Sequence, residues 1–108
     1  MLSKRFAYVW QYVVEDGQRA AFEHTYGPAG EWVQMFSHAD GYLETELLSD
    51  AEDGGKYLTI DYWVSKEARN AFRLDFADEF QALDRRCEEL TVQERFLGDF
   101  YLVTGLGS

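Results

Sequence analysis

Phe6-Ala7-Tyr8-Val9-Trp10-Gln11-Tyr12-Val13-Val14 is an unbroken run of aromatic and β-branched residues without glycine or proline, the pattern of a strand. Phe6, Tyr8, Trp10, Tyr12 and Val14 fall on one face, and Ala7, Val9, Gln11 and Val13 on the other, so both faces ask for burial. Asp16-Gly17 ends the run, and residues 18–26 place Phe22 and Tyr26 one helical turn apart. Gly27-Pro28-Ala29-Gly30 must interrupt that helix, because proline removes a donor and glycine loosens the backbone. Trp32, Met35 and Phe36 resume the helical pattern over 31–36. Residues 42–48 and 57–64 are extended runs flanking the acidic, glycine-ended loop 50–55, which predicts a hairpin. Ser65 is placed to cap the next helix, whose stripe Ala68, Phe72, Phe76, Phe80, Leu83, Cys87 and Leu90 keeps helical phase, with a bend expected near Asp75. Residues 96–103 form a last strand, broken by Gly98. The order βαββαβ predicts an α+β, ferredoxin-like fold: a four-stranded antiparallel sheet with the first and third strands central and both helical segments on one face.

The 108 residues suffice for one domain spanning 1–108 and leave no room for a separate dinucleotide fold. Twenty acidic against ten basic side chains give a net charge of −10, which argues against nucleic acid and against an anionic membrane surface as partners. The single cysteine excludes an internal disulfide. No apolar stretch reaches membrane-spanning length, and the first residues lack the apolar core of a secretory signal, so a cytoplasmic protein is expected.

Two helices cover one side of a sheet only. The alternate residues of the first and third strands, aromatic on at least one of them, therefore face water in a monomer, and an exposed apolar face of that kind predicts a homodimer with the sheets packed against each other and the terminal strand exchanged.

The side chains able to carry chemistry are few. One cysteine and two histidines, His24 and His38, in no metal-ligand spacing, predict no metal site. There is no Gly-x-Ser-x-Gly elbow and no phosphate loop, and Cys87 falls on the apolar stripe of the second helix. Thr59, Asp61 and Trp63 share a strand face with Tyr57, and Trp10 or Tyr8 adjoins them on the neighbouring strand. This set suits a flat ligand held by stacking and oriented by a few polar groups. Tyr62, on the same strand, is a further substrate-binding candidate. Arg85 and Arg86, late on the second helix, offer a fixed positive charge for an anion developing in a pocket, and His24 with Asp61 is the available acid–base pair.

Tyr26-Gly27-Pro28-Ala29-Gly30-Glu31-Trp32, Gly41-Tyr42-Leu43-Glu44-Thr45-Glu46-Leu47-Leu48 and Tyr57-Leu58-Thr59-Ile60-Asp61-Tyr62-Trp63-Val64-Ser65 resemble the antibiotic biosynthesis monooxygenase family over about residues 6–103. The most diagnostic element is Trp63-Val64-Ser65 followed by a helix carrying Ala68 and Phe72. The resemblance implies a dimeric α+β barrel with a pocket between sheet and helices, and oxygenation of a phenolic or quinol-like substrate by O2 with no cofactor, the substrate's own carbanion-like form passing an electron to oxygen. It implies a catalytic role for Trp63 and for an arginine of the second helix, Arg86 or Arg85, and a substrate contact at Thr59; the residues themselves add His24 as a catalytic candidate and Asp61, Trp10 and Tyr62 as substrate contacts. The polar residue four positions before the tryptophan, an asparagine in some members, falls here on Thr59. The haem-degrading branch places its iron-binding histidine on the second helix, and residues 66–90 contain none. The alternative is a non-catalytic dimeric barrel that binds a small molecule. An isomerase or cyclase-like catalyst is a third reading.

Overall fold

The computed structural model describes residues 5–103. Four strands, β1 (Phe6–Val13), β2 (Tyr42–Ser49), β3 (Lys56–Trp63) and β4 (Gln93–Tyr101), form one antiparallel sheet in the order β2-β3-β1-β4. The two most apolar runs are central, as the predicted ferredoxin-like arrangement requires. Each predicted helical segment is a pair of helices: α1 (Arg19–Tyr26) with α2 (Glu31–Phe36), and α3 (Lys66–Asp75) with α4 (Ala77–Cys87). The tight approach between α1 and α2 demands glycine at position 30, since a Cβ there would collide with the carbonyl oxygens of His24 and Thr25. Ser65 caps α3 by accepting the Ala68 N–H at 3.0 Å. The bend expected near Asp75 is found at Phe76, which leaves helical geometry at φ −113°, ψ 25° yet keeps the apolar stripe facing the sheet.

β4 begins three residues before the predicted 96, because Gln93, Glu94 and Arg95 pair with Val13, Tyr12 and Gln11 of β1; polar side chains on an edge strand gave no apolar signal for it. Gly98 does not break the strand. Gly98 pairs with Val9 and Phe96 with Trp10, leaving Leu97 as the extra residue of a bulge, and Gly98 accommodates it at φ +147°.

Register sets which face carries what. On the helix side, Phe6, Tyr8, Trp10 and Tyr12 of β1 lie opposite Trp63, Asp61, Thr59 and Tyr57 of β3. The other side carries Ala7, Val9, Gln11 and Val13 beside Leu58, Ile60 and Tyr62, all partly exposed. The face left open is therefore mainly aliphatic, and β1 spends its aromatics under the helices. Edge strand β4 and the residues after it also expose Phe100, Tyr101 and Leu102.

Candidate functional site

Between the helix side of the sheet and the two helix pairs lies a cavity of about 240 Å³. The strands contribute Tyr8, Trp10, Tyr12, Thr45, Thr59, Asp61 and Glu94, and the helices Tyr26, Trp32, Phe36, Arg73, Phe80 and Asp84. The walls are mostly ring faces: Tyr26 packs 5.0 Å from Tyr12 and 5.9 Å from Trp32, and Phe80 stands edge-on to Trp32 at 5.1 Å. The volume lies just below the range typical of drug-sized ligand sites, which fits a small ligand, and the predominantly aromatic lining matches their composition.

Asp61 is the most unusual group in the wall. It is fully buried and has no ion-pair partner among the described residues. The Thr45 hydroxyl donates to Asp61 Oδ1 at 2.7 Å, which leaves the Tyr42 hydroxyl, 2.6 Å away, to donate to Thr45. Burial pushes the Asp61 carboxyl up to about 7, against the smaller opposing effect of the Thr45 hydrogen bond. A carboxyl titrating near neutrality is suited to exchange a proton with a bound molecule.

Arg73 supplies the opposite charge. Its Nη1 donates to the Tyr8 hydroxyl at 2.9 Å, and the guanidinium lies 4.5 Å from the Phe80 ring centroid, with no carboxylate partner among the described residues. Arg69, one turn earlier, is engaged differently. It is buried, pairs through both terminal nitrogens with Asp99 at 3.1 and 3.2 Å, and covers the Tyr8 ring at 4.4 Å. Two arginines one turn apart on α3 thus fix Tyr8, one over its ring and one at its hydroxyl, and only Arg73 keeps charge to spare for a ligand. Burial pushes the Tyr12 hydroxyl well above its ordinary range, although the Thr59 hydroxyl beside it acts in the opposite sense. Tyr26 is likewise raised, chiefly by burial. Its hydroxyl and the Trp32 indole N–H are buried without a hydrogen-bond partner, beside the thiol of Cys87.

Of the residues singled out from the sequence, the fold brings Tyr8, Trp10, Thr59 and Asp61 together at the cavity. The others lie elsewhere. Trp63 is 1% exposed and outside the lining, packed against Phe36, Tyr42 and Phe72 at 5.9, 5.4 and 5.4 Å. Strand parity turns Tyr62 to the open side of the sheet, where its hydroxyl donates to Glu46 at 2.9 Å and Arg5 covers its ring. His24 is exposed on α1, two residues from either core aromatic. Arg85 is exposed in the last turn of α4, where a cation is favoured by the helix dipole. Arg86 is paired with Glu31 of α2 at 2.9 Å and ties the two helix pairs together at the surface. The arginine in the cavity wall is Arg73, on the earlier part of the helical segment that also carries Arg85 and Arg86. Arg73 is an exposed residue that follows Phe72 of the apolar stripe, and its sequence neighbours do not separate it from the other helical arginines; its position over Phe80 and its bond to Tyr8 bring it to the cavity.

Among the described residues no cluster of His, Cys, Asp and Glu can hold a metal ion, and no helix is long and apolar enough to cross a membrane. None of the curated proteins matches the chain significantly. Its fold is shared with solved structures at low identity. SnoaB, a cofactor-independent oxygenase from Streptomyces nogalater, is 18% identical with a TM-score of 0.74, over 97% of this chain and 99% of that one. PA3566 from Pseudomonas aeruginosa is 16% identical with a TM-score of 0.67, over 96% and 99%. SO0527 from Shewanella oneidensis is 11% identical with a TM-score of 0.67, over 93% and 92%. At such identities the likeness is one of fold; membership is decided by the sequence model described as antibiotic biosynthesis monooxygenase, which matches residues 6–86, from the first residue of β1 nearly to the end of α4. The chain belongs to the antibiotic biosynthesis monooxygenase family.

Proposed function

We propose that this protein is a cofactor-independent monooxygenase acting on a phenolic or quinol-like aromatic molecule, with the cavity as its active site. The observation that carries this reading is the pairing, in one aromatic-walled cavity, of a buried carboxyl titrating near neutrality with an arginine that has no ion-pair partner. Trp10, Tyr12 and Trp32 sandwich the ring, and Thr59 orients a polar substituent. Asp61 takes the acidic proton, and Arg73 stabilises the phenolate and then the oxygen anion formed from O2. The deprotonated substrate passes one electron to O2. The two radicals combine at a ring carbon bearing hydrogen, and the hydroperoxide loses water to leave a carbonyl. One oxygen atom stays in the product, the other leaves as water, and the substrate supplies both electrons. Trp63, behind Phe36, supports the wall from outside it.

SnoaB bears the description of a cofactor-independent oxygenase, and its fold likeness supports the same class of reaction here. We further propose that the chain works as a homodimer in the cytoplasm, the aliphatic side of the sheet being covered by a second copy. The test of the reaction is turnover of hydroquinones and anthrones under ¹⁸O-labelled O2. One labelled atom per product molecule and one in water, with substrate-dependent oxygen uptake, is the expected result. Uptake no faster than in buffer across both classes would remove the proposal.

A further inference from the structure

The cavity is electrically lopsided along the sheet. Arg73 meets it at the row of Tyr8 and Asp61, whereas Glu94 lies beside Tyr12, four residues further along β1. At strand spacing these rows are about 13 Å apart. The helix wall repeats the division: Phe80 lies under Arg73, and Asp84 follows one turn later. Neither Asp84 nor Glu94 has an ion-pair partner among the described residues. At the same end stands Tyr26, 4% exposed, its hydroxyl buried without a hydrogen-bond partner. Burial, then the charges of Asp84 and Glu88, push the Glu94 carboxyl up, as expected where negative charge collects without compensation.

We propose that this end of the cavity binds a protonated amine carried by the aromatic ligand. Asp84 and Glu94 are its charge partners, and the rings of Tyr12, Tyr26 and Trp32 its aromatic wall. Carboxylates set among electron-rich ring faces are the surroundings that favour an organic ammonium. The inference rests on the cavity being the substrate site, and it narrows the substrate to a phenolic amine, its acidic O–H toward Asp61 and Arg73 and its nitrogen toward Glu94. Rows about 13 Å apart along the strand call for a ligand that separates its hydroxyl from its nitrogen by a ring and a short arm, as an aminoethyl phenol does.

The test is calorimetric titration of the whole chain at neutral pH with tyramine and with 4-ethylphenol, which has the same ring and arm without the amine. Wild type is compared with Glu94→Gln and Asp84→Asn, near-isosteric changes at exposed positions. Tyramine is expected to bind wild type about tenfold more tightly, and each variant to lose most of that preference while 4-ethylphenol binding changes less than about twofold. Equal binding of the two compounds by wild type, or a preference that survives in both variants, overturns the ammonium site while leaving the cavity as an aromatic site. Binding of neither overturns both.

Discussion

At the scale of single residues, the proposed chemistry rests on Asp61 and Arg73, and the two differ in how far the sequence reveals them. Asp61 is legible because strand parity alone places it on the face of Thr59 and Trp63, whereas its place opposite Tyr8 comes from the register. Arg73 is not, because the same sequence offers several helical arginines, and which of them meets a cavity depends on how α3 lies against the sheet. The raised carboxyl has a consequence for stability. With a folded pKa of about 7 against an unfolded value near 4, the native state holds a proton that the unfolded chain has lost, so stability falls as pH rises from about 4 to about 7. Asp61→Asn is therefore expected to abolish turnover while raising Tm relative to wild type at pH above about 7, which thermal unfolding on both sides of neutrality checks. Arg73→Met keeps the packing over Phe80 and removes the charge. A loss in kcat of about 100-fold, with a smaller change in KM, is expected from steady-state kinetics, the size typical of removing one group that stabilises a developing oxyanion.

At the scale of elements, the strand and helix types followed from periodicity, and their exact ends did not. The stripe from Ala68 to Leu90 remains in phase through a break at Phe76, so hydrophobic spacing records which face is buried even where helical geometry lapses. The early start of β4 leaves no apolar signal in the sequence, because its first residues pair with β1 through the backbone and carry polar side chains. That start nonetheless places Glu94 at the cavity. Two substitutions probe this scale. Ser65→Ala removes the side-chain acceptor for the Ala68 N–H and should cost about 1 kcal/mol in chemical unfolding. Arg86→Ala breaks an exposed pair with Glu31, so stability should change by no more than about 1 kcal/mol and kcat stay within about twofold, measured by unfolding and by oxygen uptake.

At the scale of the whole molecule, the topology needed only the order of elements and the two-sided apolar character of the central strands. Which side carries the aromatics needed the register, and that distinction separates interior from interface. The helix side, with Tyr8, Trp10 and Tyr12, lines the cavity; the aliphatic side, with Val9, Leu58 and Ile60, is the face proposed to meet a second copy. Light scattering behind size exclusion should give twice the 12.5 kDa of one chain, and Ile60→Glu, a charge at the centre of that side, should halve the mass.

The central claim is that Asp61 starts the reaction with O2, and its most direct test is the pH dependence of oxygen uptake with a hydroquinone substrate, compared between wild type and Asp61→Asn. Uptake by wild type is expected to rise with pH through an inflection near 7, because Asp61 must be ionised to accept the proton, and to be absent in the variant. A variant that matches wild type in rate and in pH profile would contradict the account.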